Sequence, residues 1–404
     1  MRSLAVRRFG IALVVVLLGA SACSSSNKKS APSHTTVAGV TTTVPPSVAA
    51  PVVFNGQGND LAAYLSVPPF TKQIVIHHHD DAHPDGLDIN GQICFDPSNT
   101  RRFIAGEDTL QDTTGHPGWG IFALDGDTVG SFSARELGKL VPTYQPSNDN
   151  PENYGCGWLR DGRVLTTDIG NQANGQGDGQ LIVWFPPLNS RSVKYCKLDV
   201  HLTTAQGMLV EGDALYLAQA RPPTAGVYQY DTKTFPTSDQ PSGGCDSKDA
   251  TGAPLATHIT STMFITPSGD NSIVTPNAIA KAPDGTLFVS SVFNGVIAQF
   301  TADGTFKRVV LKPPAGESLG AKPFSTGTPL GIGVAPDGSV FYADIGIVLG
   351  NGSAGPGNKT GHVRRVAFDK DGEPRAPDDM DKGLAFPDGI GIWSPAADAA
   401  SSKT

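Results

Sequence analysis

One phrase of the sequence occurs twice, and this repetition limits the folds that the chain can adopt. "TPNAIAKAPDGTLFVSSVFNGVIAQF" runs from Thr275 to Phe300, and "TPLGIGVAPDGSVFYADIG" runs from Thr328 to Gly346. Each copy contains two stretches of alternating apolar residues joined by Asp-Gly. This pair is a strong hairpin signal, because Asp and Gly tolerate the positive φ of tight turns. The repeated unit is therefore predicted to be a set of short antiparallel strands.

Diverged copies of this unit recur along most of the chain, 52 to 71 residues apart. A third strand follows most copies, and a fourth, outer strand is expected after each. Six units of four strands predict an all-β chain folded as a six-bladed β-propeller. In each copy a small residue occurs in the first strand, and the copies are aligned on the residue just before it. On this alignment they begin at Asn90, Tyr154, Gln206, Asn277, Leu330 and Asp388.

The sixth unit has only its first strand near the C-terminus, in "FPDGIGIW" from Phe386. The missing strands are predicted at the start of the folded part, in "PVVFNGQGNDLAAYLSV" and "KQIVIHHH". The two chain ends would then share the last blade, and the closed ring would leave no open edge between its first and last units. Residues 51–395 are assigned to the propeller and residues 396–404 to a disordered tail.

The N-terminal segment is typical of an exported lipoprotein. Three arginines precede the apolar run from Ile11 to Leu18, and "GASAC" follows. We interpret residues 1–22 as a signal peptide, Cys23 as the lipidated residue, and residues 23–50 as a Ser/Thr/Pro-rich disordered tether. The chain would then be anchored on the extracytoplasmic side of the cell membrane. An ordinary secretory signal is the alternative, and the protein would then be secreted.

Four further cysteines are typical of an exported chain with two disulfides. They are Cys94, Cys156, Cys196 and Cys245. Three pairings are possible, and the sequence alone does not choose among them. Pairing cysteines of neighbouring repeats would give Cys94–Cys156 and Cys196–Cys245.

The net charge of −8 argues against nucleic acid as a partner. Phosphate binding requires a basic face, and no basic cluster occurs in the part assigned to the propeller. No Gly-x-Ser-x-Gly elbow is present, so a Ser-His-Asp hydrolase is not supported either. The expected partners are the membrane, through the lipid, and a small-molecule, glycan or protein ligand on the loop face of the propeller.

The copies at Asn277 and Leu330 resemble NHL repeats and the senescence-marker-protein/gluconolactonase family. In that family a divalent metal, usually Ca2+, lies in the central channel, where oxygen ligands at the starts of the innermost strands hold it. The resemblance implies Ca2+ ligands at Asn277 and Asp388, with Asn90 and Gln206 at the corresponding positions of two other repeats. Leu330 stands where the family has an aspartate, and the four polar residues together carry a charge of only −1.

The stretch "HHHDDAHPDGLD", from His77 to Asp88, is a second candidate metal site. In a strand, His77 and His79 would share one face, and His83 from the following loop would complete a three-nitrogen set for a transition metal. The alternative is a polar strand end whose histidines are solvated or hydrogen-bonded.

Two further patterns concern the ends of the second strands. Asp108, Asp168 and Asp344 follow three of these strands, and we expect them to cap turns by accepting backbone N–H bonds. The glycine-rich runs 170–179 and 350–361 lie between second and third strands, and we expect long loops there that overhang one face.

Two functions from different classes fit these observations. The first is an exported, lipid-anchored binding module for a small molecule, glycan or envelope partner. The alternative is a Ca2+-dependent lactonase or esterase-type hydrolase, in which His77, His79 or His83 would transfer protons or add metal ligands.

Overall fold

A computed structural model describes residues 50–109, 117–146, 151–170, 177–190, 192–350 and 353–394. The predicted signal peptide, Cys23, nearly all of the tether and the C-terminal tail lie outside these residues. Within the described ranges, no helix is both long and apolar enough to cross a membrane.

The described residues form six four-stranded antiparallel blades, so the predicted β-propeller is confirmed. Blade 1 contains β4 (Ile89–Asp96), β5 (Asn99–Glu107), β6 (Gly118–Asp125) and β7 (Ser133–Leu140), and blade 2 contains β8 (Asn153–Trp158), β9 (Val164–Asp168), β10 (Gly179–Phe185) and β11 (Lys194–Leu202). Blade 3 contains β12 (Ala205–Glu211), β13 (Ala214–Gln219), β14 (Gly226–Asp231) and β17 (Ser261–Ile265), and blade 4 contains β18 (Pro276–Lys281), β19 (Leu287–Ser291), β20 (Val296–Phe300) and β21 (Phe306–Leu311). Blade 5 contains β22 (Pro329–Val334), β23 (Val340–Asp344), β26 (Gly361–Val366) and β27 (Asp378–Leu384).

Blade 6 is built from both ends of the chain, as predicted. Its inner strand is β28 (Pro387–Trp393), followed outward by β1 (Val52–Gln57), β2 (Asp60–Leu65) and β3 (Lys72–Ile76). Val52 lies opposite Trp393 in the pairing of β1 with β28. The chain therefore enters and leaves the propeller at the face opposite to the one where the inner strands begin.

The six inner strands surround the axis closely, and this requires small residues. In five of them a glycine directly follows the residue on which the repeats align, and a Cβ added there would meet the backbone of the neighbouring inner strand. A Cβ on Gly155 would lie 2.5 Å from the carbonyl oxygen of Gln206, and one on Gly207 would lie 2.8 Å from that of Asn277. The five glycines are Gly91, Gly155, Gly207, Gly331 and Gly389.

Two disulfides join neighbouring blades, and their predicted pairing is confirmed. Cys94–Cys156 links the inner strands of blades 1 and 2. Cys196–Cys245 links the outer strand of blade 2 to the segment between β14 and β17. Two short strands of this segment, β15 (Ser247–Lys248) and β16 (Pro254–Leu255), extend the sheet of blade 2, and two 3-10 helices precede them at Thr232–Thr234 and Pro241–Gly243.

A buried ion pair holds the same segment in place. Lys197 Nζ lies 2.5 Å from Asp249 Oδ2, and both side chains are almost completely buried. Burial lowers the pKa of Lys197, and the lysine lowers the pKa of Asp249 to about 2. Each charge thus compensates the cost of burying the other.

Replacing Gly155 by alanine should destabilise the ring. The added methyl group would lie 2.5 Å from Gln206 O and 2.8 Å from Thr167 Oγ1, so strand backbones must move apart. We expect the free energy of unfolding, measured by denaturant titration, to fall by about 2 kcal/mol. Gly269→Ala is the control, because a Cβ there meets no heavy atom within 4 Å. Equal stability of the two variants would contradict the close approach of the inner strands.

Candidate functional site

One cavity lies at the end of the channel where the inner strands begin. It measures about 860 Å³ with the solvent at its mouth included. Every inner strand lines it with its second residue. These are the six residues on which the repeats align: Asn90, Tyr154, Gln206, Asn277, Leu330 and Asp388.

The wall of the cavity is apolar and consists of loops at the same face. Strand direction alternates within a blade, so the loops from second to third strands, and from outer strands to the next blade, lie at this end. They contribute Ile169, Val292, Phe293, Ile345 and Phe386. Leu330 and Tyr154 pack with four of the wall residues in one cluster of buried apolar side chains that also includes Ile347. Leu330, which cannot coordinate a metal, is therefore part of the apolar wall.

A hairpin extends the wall on one side. β24 (Ile347–Gly350) and β25 (Ser353–Pro356) form this hairpin between the second and third strands of blade 5. Ile347, Gly355 and Pro356 line the cavity. The predicted overhang of the run 350–361 is thus confirmed, whereas most of the run 170–179 lies outside the described residues.

The floor of the cavity is polar and rich in hydrogen-bond acceptors. Asn277 Nδ2 donates to Gln206 Oε1 at 3.0 Å. Asp388 accepts from the backbone N–H groups of Gly91, at 2.7 Å, and Gly389. The side chain of Asn90 is hydrogen-bonded to the carboxyl group of Asp108.

Three polar atoms of the lining residues are buried and have no hydrogen-bond partner among the described residues. They are Oδ1 of Asn90, Oδ1 of Asn277 and the hydroxyl oxygen of Tyr154. Asn277 and Tyr154 are only 3% and 4% exposed. Asn90 Oδ1 lies against Gly106 of the paired strand β5. A buried polar atom without a partner costs free energy, so these atoms lower the stability of the free protein.

Buried carboxyl groups surround the floor. Burial raises the pKa of Asp388 to about 8 and that of Glu152, which also lines the cavity, to about 7. Burial also raises the pKa of Asp108 to about 6. Repulsion by Asp108 adds to the shifts of Asp388 and Glu152, and repulsion by Asp88 and Glu107 adds to that of Asp108.

The sequence did not reveal Glu152 as a cavity residue. It precedes Tyr154 by two positions and lies on the loop that leads into β8. Its backbone N–H donates to Asp168 Oδ1 and its carbonyl accepts from Ile169. The repeats are aligned on the second residue of each inner strand, so the alignment does not include this loop. The only sequence signal is an acidic residue just before an inner strand.

The expected turn caps are present at two of the three strand ends. Asp168 Oδ1 also accepts from Gly170 N, and Asp344 Oδ1 accepts from Thr328 N at 2.7 Å and Gly346 N at 2.9 Å. Asp108 differs, since its carboxyl group is bonded to the side chain of Asn90.

The four predicted Ca2+ ligands lie at one cavity, but their oxygens are not equally available. Oδ1 of Asn90 and Oδ1 of Asn277 have no described hydrogen-bond partner but are buried, Gln206 Oε1 accepts from Asn277, and both oxygens of Asp388 accept from backbone N–H groups. Ca2+ takes six to eight oxygen ligands, and this arrangement offers a partial set. Among the described residues, no group of three or more His, Cys, Asp or Glu side chains could hold a metal ion. Calcium binding stays a prediction.

The histidine segment adopts a loop, so the predicted strand through His77 and His79 is wrong. β3 ends at Ile76. Carboxylates accept the backbone N–H groups that a strand would pair with its neighbour: His78 N donates to Asp60 and His79 N donates to Asp88. These bonds turn the chain away from the sheet edge.

The histidines of the predicted metal site are not arranged as the sequence predicted, with His77 and His79 on one strand face and His83 beside them. The rings of His77 and His83 stack with their centroids 4.0 Å apart. His83 Nδ1 lies 3.0 Å from Asp80 Oδ1, and His78 bridges Asp60 and Asp80. The described contacts match the hydrogen-bonded alternative, and a transition metal at these residues stays a prediction.

No protein-family model matches the chain. No curated protein matches it either. Solved structures match at low identity. The chain is similar to one in the crystal structure of a nidogen/laminin complex, with 10% identity, a TM-score of 0.51, and 85% of this chain and 98% of that chain covered.

Two further solved structures belong to proteins of the kind that the repeats resemble. The periplasmic gluconolactonase of Pseudomonas aeruginosa matches with 12% identity and a TM-score of 0.47, covering 85% of this chain and 99% of that chain. The calcium-binding protein regucalcin of Agrobacterium tumefaciens matches with 11% identity and a TM-score of 0.42, covering 83% and 84%. At 10% identity, the similarity to the chain in the nidogen/laminin complex shows the propeller fold and neither a reaction nor a ligand.

Replacing Tyr154 by phenylalanine should leave the protein as stable as before or more stable. Its hydroxyl group is buried without a described partner, so its removal loses no hydrogen bond and ends a desolvation cost. Tyr144→Phe is the matched control, because the buried Tyr144 hydroxyl lies 2.7 Å from Pro117 O and 3.1 Å from Asn153 Oδ1. We expect the control to lose about 1 kcal/mol in denaturant titration. A similar loss in Tyr154→Phe would show that its hydroxyl is bonded in the free protein.

Proposed function

We propose that the chain is an extracytoplasmic binding module whose central cavity holds a small molecule. The observation that carries this proposal is a cavity that combines an apolar wall with a polar floor. A pocket of this kind buries the apolar part of a ligand, while a few fixed polar groups orient it. Two disulfides support a location outside the cytoplasm, since such bonds persist in oxidising compartments.

The rigidity of the floor supports binding of a defined ligand. The floor residues belong to inner strands that are hydrogen-bonded in sheets and closely packed around the axis. The amide of Asn277 is oriented by its bond to Gln206. A ligand would therefore meet preorganised groups, which reduces the entropy lost on binding.

The position of the chain ends fits attachment to a membrane. If Cys23 carries a lipid, the tether joins the propeller at Val52, at the face opposite to the cavity. The mouth of the cavity would then lie at the end of the propeller away from its attachment point. A soluble ligand could reach it without passing the bilayer surface.

A Ca2+-dependent hydrolase of lactones or similar esters is the second candidate function. The convergence of Asn90, Gln206, Asn277 and Asp388 on one cavity, which Glu152 also lines, favours it. Metal content and calcium titration calorimetry of the exported chain test this candidate. One calcium per chain, lost in Asp388→Asn, would place the hydrolase first, and lactone assays would follow.

Filling the mouth of the cavity should abolish ligand binding. Gly355 lines the cavity, and a Cβ there meets no heavy atom within 4 Å, so Gly355→Trp should fold normally and occupy the entrance. Gly350→Trp is the matched control on the same hairpin, since its added Cβ is equally unhindered and Gly350 does not line the cavity. Ligands would be found by a thermal-shift screen of small molecules on the exported chain.

We expect hits to lose at least about tenfold in affinity with Gly355→Trp and to keep it with Gly350→Trp. Equal affinity for both variants would show that the ligands bind elsewhere and would overturn the proposed function.

A further inference from the structure

The central cavity offers little charge to a ligand. Among the described residues its lining contains no Lys, Arg or His, so an anion would find no countercharge there. Both oxygens of Asp388 already accept backbone N–H groups. Burial raises the pKa of Glu152 to about 7, and repulsion by Asp108 adds to this shift. An ion of either sign would therefore lose its hydration in the cavity without full compensation.

The polar groups of the floor are bonded to one another or are buried. Asn277 Nδ2 donates to Gln206 Oε1 at 3.0 Å. The side chain of Asn90 is bonded to the carboxyl group of Asp108. Oδ1 of Asn90, Oδ1 of Asn277 and the hydroxyl oxygen of Tyr154 have no described partner, but these atoms are buried. A ligand with many hydroxyl groups would therefore exchange its hydrogen bonds to water for few in the cavity.

The wall of the cavity presents apolar surface from several blades. Its apolar residues include Ile169, Val292, Phe293, Leu330, Ile345 and Ile347. Water at such a surface is released when an apolar ligand covers it, and this favours binding in proportion to the apolar area that is buried. The wall therefore recognises hydrocarbon groups rather than charged or hydrogen-bonding ones.

Phe386 extends this apolar surface to the mouth of the cavity. It lines the cavity and is 38% exposed. Its φ is 41°, in the left-handed region that costs free energy for a residue with a Cβ. An apolar ligand at the mouth would cover the exposed ring, and this contact is absent from the free protein.

We infer that the cavity selects uncharged, mainly apolar molecules, which bury a hydrocarbon ring or chain against the wall and cover the ring of Phe386. This inference rests on the proposed function, because it names the class of ligand for the same cavity. It excludes ionised organic molecules and polyhydroxylated ones, including sugars, as the ligands that the cavity prefers.

Four probes with the same six-membered carbon ring test the inference: cyclohexanol, cyclohexylammonium, cyclohexanecarboxylate and myo-inositol. Titration calorimetry is carried out on the exported chain at about pH 6, which is below the raised pKa of Glu152. Cyclohexanol should bind with an affinity at least about tenfold above that of each other probe, because unpaired charges and hydroxyl groups are costly to bury. Equal or tighter binding of any of the other three would overturn the inference.

Replacing Phe386 by glycine tests the contact at the mouth. Glycine adopts a positive φ without strain, so the variant should fold, and its affinity for cyclohexanol should fall at least about fivefold. Phe70→Gly is the matched control, because Phe70 also has a positive φ, of 55°. Phe70 follows β2, whose last residue Leu65 lies opposite Val52 at the face away from the cavity. The control should keep its affinity, and an unchanged affinity in Phe386→Gly would contradict the inference.

The proposed function and this inference can fail separately. If none of the four probes binds while other hits lose affinity in Gly355→Trp, the cavity binds small molecules and the inference is wrong. Cyclohexanol that binds equally well to Gly355→Trp would be bound elsewhere, and the inference would be wrong. If Gly355→Trp changes the affinity of no ligand, the proposed function is wrong as well.

Discussion

The close approach of six inner strands around one axis is the constraint on which the rest of this structure depends. Glycines such as Gly155 and Gly207 let the backbones of neighbouring blades come together, and Cβ atoms there would overlap main-chain atoms. Hydroxyl groups on second strands bridge the blades at the same level, as Thr167 Oγ1 does to Gln206 O at 3.0 Å and Ser290 Oγ to Leu330 O at 2.9 Å. The cavity forms beyond this narrow waist, where the inner strands begin.

This geometry also explains how a repetitive chain obtains a site without repeating symmetry. The second residue of each inner strand faces the same cavity, so six positions can differ while the strands remain alike. Four of these positions carry polar side chains, and Tyr154 and Leu330 extend the apolar wall. The floor is therefore asymmetric because different side chains occupy equivalent positions of six similar strands.

The electrostatics of the cavity depend on the low polarity of its surroundings. Carboxyl groups at a solvated surface would be ionised and weakly coupled, whereas burial shifts the pKa of Asp388 to about 8 and that of Glu152 to about 7. Fixed groups of this kind recognise a ligand better than they stabilise the free protein, which is a common compromise at binding sites.

The sequence by itself determined the strand-turn-strand unit, the number of blades, the closure by both chain ends and the six cavity positions, because each depends on local alternation and on turns that recur with the repeat. The pairing of the cysteines followed once neighbouring repeats were placed side by side. Only the tertiary structure brought Glu152 to the floor, placed Leu330 in an apolar wall and turned His77 out of a strand. These features depend on loops of unequal length and on burial, and neither leaves a periodic signal in the sequence.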